Sequence, residues 1–197
     1  ASPYAEKTDN TIKQHMQRIG VFLSSKDNLP DSYIQAAQEV GEWIGRTGRT
    51  LVYGGAKKGL MEILARSVKF SGGRVMGVVP QILTDRNLVS DTLDITIPTV
   101  DLNDRKAVMV RESDLLIALP GGIGTLDEVF TVMAANTIGI HRKPVILYNV
   151  DGCWDTITAA IRDLCDKKLV SESQKELWTV IKCTAELEHF IQAQNGR

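Results

Sequence analysis

A chain of 197 residues with 43% hydrophobic side chains is long enough to bury one sizeable core and gives no reason to divide it. Lys and Arg number 23 against 24 Asp and Glu, so no global field draws nucleic acid or an anionic membrane, and no local basic stripe stands in for one. No apolar run reaches the length of a membrane span, and Cys153, Cys165 and Cys183 are odd in number, widely spaced and without a neighbouring His at ligand spacing, which argues against a disulfide framework or zinc site and leaves buried free thiols expected.

Residues 1 to 16 are polar and read as a tail, with 17 to 197 as a single domain. No apolar segment of signal-peptide type follows the N-terminus, so a cytoplasmic protein is expected. Arg18 to Leu23 reads as the first strand and Ser24 to Asn28 as the loop that leaves it, with Ser24 and Ser25 open to either turn hydrogen bonding or ligand contact. Pro30-Asp31-Ser32 starts a helix whose Tyr33, Ala36, Ala37, Val40 and Ile44 recur at helical spacing. Thr50 to Tyr53 is the second strand, and Gly54-Gly55 a turn able to bring backbone against a ligand. Lys57 and Lys58 read as solvated, while Leu60, Met61, Ile63, Leu64 and Val68 form the next helix face.

Arg74 to Val79 is a third strand stopped by Pro80; residues 81 to 93 look irregular, and Leu93 to Ile97 is a short strand. Asp101 to Asp104 caps the helix that carries Arg105 and Lys106, which by local pattern pair with Asp101 and Asp104 on the helix surface. Leu115 to Leu119 is uniformly apolar and too short for a helix, as a central parallel strand buried on both faces should be. Pro144 to Asn149 repeats that character, and Trp154, Ile157, Ile161 and Leu164 follow at helical spacing. After a charged connection over 167 to 177, Trp178 to Cys183 is one more strand and Thr184-x-x-Leu187 caps a last helix. Strands alternating with helices predict a doubly wound parallel α/β sheet, a Rossmann-like three-layer α/β/α fold in one domain.

The chemistry concentrates between Asp114 and Glu128. Behind the strand, Pro120 ends the pairing, Gly121, Gly122 and Gly124 form a turn, and Thr125 opens a helix running to about Asn136. Free N–H groups and the positive end of the helix dipole meet there, so a phosphate is the expected guest. The turn is not the nicotinamide fingerprint, because Asp127 stands where its third glycine belongs. Gly54 to Met61 is not a P-loop, because Leu60-Met61 replaces Lys-Ser/Thr. Spacing alone makes Thr125-x-x-Glu128 a capping box; a Glu128 turned toward the crevice would instead lie one turn from the phosphate seat.

Pro120 to Glu128 reads P-G-G-x-G-T-x-x-E and resembles the signature of the LOG ("Lonely guy") phoshoribohydrolase family, often labelled lysine decarboxylases. Arg105-Lys106, Val52-Tyr53-Gly54-Gly55, Gly59-Leu60-Met61, Gly72-Gly73, Gly77 to Pro80, Gly139-Ile140-His141 and Asn149 to Gly152 stand in the family's order, over roughly residues 18 to 190. The resemblance implies hydrolysis of the N-glycosidic bond of N6-modified adenosine 5′-monophosphates to free base and ribose 5-phosphate, with AMP as a second substrate. It makes Arg105 and Glu128 catalytic. Substrate contacts are implied at Ser25, Gly54, Gly55, Met61, Asn87, Lys106, Gly121, Gly122, Ile123, Gly124, Thr125, Leu126 and Asp127. It also implies a homodimer through the apolar helix after Thr125, and neither metal nor organic cofactor. Leu23 and Ser24 replace the family's Cys-Gly; Glu62, Asn87 and Asn103 replace its usual glycine, acid and histidine. The alternative is a non-catalytic nucleotide or molybdenum-cofactor carrier of similar fold. Lysine decarboxylation is unsupported, because no lysine has a pyridoxal-phosphate context. Pattern alone also makes His141 a helix cap rather than a base.

Overall fold

A computed structural model describes residues 16–171, 174 and 178–195. The expected N-terminal tail lies outside these residues except for Met16, which already packs against the core, and residues 172–173 and 175–177 of the charged connection lie outside them too. Among the described residues, no helix is long and apolar enough to cross a membrane.

Among the described residues, seven parallel strands form one sheet: β1 (Arg18–Phe22), β2 (Thr50–Tyr53), β3 (Arg74–Pro80), β4 (Ile95–Thr99), β5 (Leu115–Ala118), β6 (Val145–Tyr148) and β7 (Trp178–Ile181), in the order β4-β3-β2-β1-β5-β6-β7. The chain winds outward from β1 to β4, returns to the other side of β1 as β5, and winds outward again. Two neighbouring strands, β1 and β5, therefore lead their chains away in opposite directions, and a crevice opens at their C-terminal ends, where ligands bind in sheets of this kind. The doubly wound α/β reading of the sequence is the fold observed.

The helices are α1 (Asp31–Arg46), α2 (Gly59–Phe70), α3 (Gln81–Asp85), α4 (Leu102–Glu112), α5 (Ile123–Thr137), α6 (Asp155–Asp166) and α7 (Thr184–Asn195). Alternation along each strand divides the core into two layers. Ile19, Val21, Leu51, Tyr53 and Ile117 meet Ala37, Val40, Ile44, Leu64 and Leu187 of α1, α2 and α7. Phe22, Val52, Leu116 and Ala118 meet Val108, Met109, Val129, Val132 and Ile161 of α4, α5 and α6. Burial on both faces explains why β5 is apolar throughout: Leu115, Leu116, Ile117 and Ala118 are all inaccessible to solvent.

Local details depart from the sequence reading. Residues 81–93 are not wholly irregular, since α3 forms directly after Pro80, which ends β3 in extended conformation and stands as the helix N-cap. The edge strand β4 starts at Ile95 rather than Leu93: Leu93 instead plugs the space above Gly77, where a Cβ would come within 2.6 Å of its Cδ1. The buried face of α6 is Thr158, Ile161 and Cys165, leaving Leu164 39% exposed. All three cysteines are free, but only Cys165 is buried; Cys153 is half-buried and Cys183 exposed.

Candidate active site

The β5–α5 turn is built by close approach. A Cβ on Gly121 would lie 2.1 Å from Thr125 Oγ1, so the turn can fold back on its helix only without a side chain there. Behind it, the indole of Trp154 donates to Ala118 O at 3.1 Å and holds the end of β5. Helix α5 begins two residues earlier than expected, at Ile123, with Gly122 as the N-cap. Leu126 N donates to Gly122 O at 3.0 Å as the first intrahelical bond. The N–H groups of Ile123, Gly124 and Thr125 thus have no partner within the helix and stand at its positive end. At Gly122 and Gly124 nothing lies within 4 Å of a Cβ position, so the space above the turn is open.

The early helix start overturns the capping-box reading. Thr125 is the third residue of α5 rather than its cap, and Glu128 sits more than one turn in, beyond reach of the Gly122 N–H. Glu128 Oε1 instead accepts from Arg105 Nη2 at 2.5 Å, across the gap between α4 and α5, with the two side chains only 6% and 13% exposed. Lys106 Nζ pairs with Asp127 at 2.7 Å beside it. The local pairing expected for the two cations also fails: Asp101 is occupied as the α4 N-cap, accepting from Asn103 N and Asp104 N, and Asp104 accepts from Val100 N. Gly54 lets the guanidinium lie across the end of β2, since a Cβ there would be 3.1 Å from Arg105 Cζ. Burial pushes the Glu128 carboxyl above its ordinary range, while the charge and hydrogen bond of Arg105 pull it back.

These groups face a pocket of about 290 Å³. Of the sequence-predicted residues, Ser25, Met61, Arg105, Lys106, Gly122, Ile123, Gly124, Thr125, Asp127 and Glu128 line it together. Gly54 backs it by supporting Arg105, and Gly121 by packing on Thr125. Gly55, with φ +74°, packs on Val79, and Leu126 packs toward the sheet. Neither Gly55 nor Leu126 lines the pocket. Asn87 is not brought in: it is exposed, in a left-handed turn after α3, with its N–H on Thr84 O. Glu62 pairs with Arg66 at 2.8 Å and adds no carboxylate to the pocket.

Lys26 and Leu102 line the pocket without having been singled out; Leu23, noted only as a departure from the family pattern, and Ser24, weighed evenly as a turn residue, line it as well. Their signal was position: each stands directly at the exit of β1 or the entry of α4, on the side where the glycine turns gather. His141 does not cap α5. Gly139 N and Ile140 N close the helix onto Asn136 O and Ala135 O, while His141 Nδ1 accepts from Lys143 N at 3.3 Å and burial lowers its pKa.

A family model described as "Possible lysine decarboxylase" matches residues 61–190. The cytokinin riboside 5′-monophosphate phosphoribohydrolase LOG5 of Arabidopsis thaliana is 35% identical over 182 residues, covering 92% of this chain and 80% of the relative. The chain belongs to the LOG family. Another LOG relative, the probable cytokinin riboside 5′-monophosphate phosphoribohydrolase LOGL6 of Oryza sativa subsp. japonica, is 36% identical over 94% of this chain and 74% of its own. Among solved structures, the molybdenum cofactor binding protein of Rippkaea orientalis superposes with a TM-score of 0.71 at 26% identity, over 91% of this chain and 98% of that one. The Moco carrier protein of Chlamydomonas reinhardtii gives 0.67 at 25%, over 90% and 98%. LOG hydrolases and cofactor carriers thus share this fold, and the sequence stands nearer the hydrolases.

Proposed function

We propose that this LOG-family chain hydrolyses the N-glycosidic bond of purine nucleoside 5′-monophosphates, N6-modified adenosine monophosphates foremost and AMP second, releasing free base and ribose 5-phosphate. The observation that carries the reading is the orientation of Glu128: its carboxylate faces the pocket one turn beyond the unpaired N–H groups of α5 instead of folding back on its own helix. The 5′-phosphoryl group seats on those N–H groups, and the open space over Gly122 and Gly124 admits it. Ribose then lies before Glu128. As the C1′–N bond breaks, its electron pair leaves with the base and the sugar turns cationic. Glu128 stabilises that cation and takes a proton from the water that adds to C1′, the departing base takes up a proton from solvent, and Glu128 returns its own to solvent. Arg105 fixes the carboxylate and offers its remaining donors to the nucleotide.

Incubation with AMP and with isopentenyladenosine monophosphate, followed chromatographically, tests this. Equal amounts of free base and ribose 5-phosphate are expected, and release from neither compound overturns the reading in favour of a carrier. Gly54→Val is expected to cut kcat/KM by about tenfold or more, because its side chain displaces the guanidinium by the small distance to which such sites are sensitive. Unchanged turnover in that variant would show that Gly54 does not position Arg105.

The same reading includes a homodimer. On α5, Ile123 is 82% and Phe130 43% exposed, with Ile138 at 74% and Ile140 at 70% just beyond, an apolar face that a monomer leaves in water. Sedimentation should give twice the chain mass, and Phe130→Glu should shift the protein toward monomer; a monomeric parent protein removes the dimer.

A further inference from the structure

The pocket lining holds three cations and two carboxylates. Glu128 takes Arg105 and Asp127 takes Lys106, so two of the positive charges are already matched. Lys26 is the third. Its ammonium has no hydrogen-bond or ion-pair partner among the described residues, and the side chain is exposed on the pocket's β1 side.

Its backbone, by contrast, is fixed beside the β5–α5 turn. Ser24 N donates to Pro120 O at 3.1 Å, which ties the loop leaving β1 to the residue just before Gly121. Lys26 N donates to Ser24 Oγ at 3.1 Å. Lys26 O rests against Gly59, where a Cβ would lie 2.3 Å away at a φ of +55°, and Gly59 N donates to Asp27 Oδ1 at 3.2 Å. A pinned backbone with a free four-carbon stem keeps the ammonium within reach of the space in front of the α5 N-terminus, which Lys26 borders together with Gly122 to Thr125.

We propose that Lys26 is the residue that neutralises the 5′-phosphoryl group at the α5 N-terminus, while Arg105 and Lys106 stay on Glu128 and Asp127 when the nucleotide binds. The proposal rests on the nucleotide-site reading above and adds a phosphate-binding side chain to it. Withdrawing Arg105 toward a phosphate would strand Glu128, 6% exposed, as a buried unpaired carboxylate. Lys26 bears no such cost, because no described residue holds its ammonium. A dianionic phosphoryl group then meets one unmatched cation and three backbone donors, and the Arg105–Glu128 pair is left free to act at C1′.

Calorimetry with ribose 5-phosphate as the probe tests this directly, using the full chain and the variants Lys26→Met and Lys26→Arg. Lys26→Met is expected to weaken ribose 5-phosphate by about tenfold or more, the size of a lost charged hydrogen bond, and Lys26→Arg to restore most of it. In base release, KM for the monophosphate should rise while kcat stays within a few-fold. Unchanged ribose 5-phosphate affinity in Lys26→Met overturns the proposal. So does a parallel loss of affinity for adenosine, which has no phosphate, or an absence of ribose 5-phosphate binding by the unaltered protein. Base release is read separately: its absence beside Lys26-dependent ribose 5-phosphate binding sinks the hydrolase reading and leaves the phosphate seat standing.

Discussion

Glu128→Gln is expected to lower kcat for base release by about 10²- to 10³-fold, with KM for the nucleotide little changed. The amide has the shape of the carboxylate and can still accept from Arg105 Nη2, so the α4–α5 contact survives. What disappears is the negative charge that meets the cationic sugar and the basicity that takes the proton from water. That is an interaction made in the transition state and not in the ground state, which is why kcat rather than KM should carry the loss. Steady-state kinetics on isopentenyladenosine monophosphate, with a thermal melt confirming the fold, reads it out. A variant whose turnover stays within tenfold of the parent would remove Glu128 from the chemistry. A carrier protein would show nucleotide affinity unaffected by the change and no base release before or after it.

Arg105→Met should lower kcat/KM by a similar factor and also displace the acidic limb of its pH profile toward higher pH. Burial raises the Glu128 carboxyl, and Arg105, by charge and hydrogen bond, opposes that rise. The acid limb of the parent protein is therefore expected above the value near 4.3 of an ordinary glutamate. Removing the cation leaves burial unopposed, so the carboxyl holds its proton to a still higher pH. Because only the ionised form can accept a proton from water, activity is lost on acidification earlier in the variant. The limb should therefore move to higher pH. Arg105→Lys, which keeps the charge without the planar fork, should restore the position of the limb better than the rate. A limb that does not move in Arg105→Met would show that some other group sets it.

Glu128 and Arg105 mark how far the sequence reached. The family resemblance implied a catalytic role for Glu128 and for Arg105, yet local spacing favoured a helix cap for one and surface partners on its own helix for the other. Both local readings failed for one reason: they weighed each side chain against its own helix, whereas α4 and α5 lie side by side on the sheet and present the pair to each other. A two-residue shift in where α5 starts was enough to void the capping box. Asn87 is the converse case. Its place in the family pattern suggested a nucleotide contact, but the turn after α3 leaves it exposed and outside the pocket.

Periodicity and glycine placement, by themselves, determined the layer architecture, the parallel sheet and the turn that ends β5. A strand buried on both faces must be apolar throughout, and a loop that closes on its own helix must drop its Cβ, so each leaves a mark at a single position in the chain. The tertiary structure alone decided which charges face each other across the pocket, that Gly54 carries the Arg105 guanidinium, and that the Lys26 ammonium has no partner among the described residues. Those facts depend on where β1, β2, α4 and α5 end relative to one another. Residues more than 20 positions apart, such as Arg105 and Glu128, or nearly 100 apart, such as Ser24 and Pro120, leave no local pattern that could announce their contact.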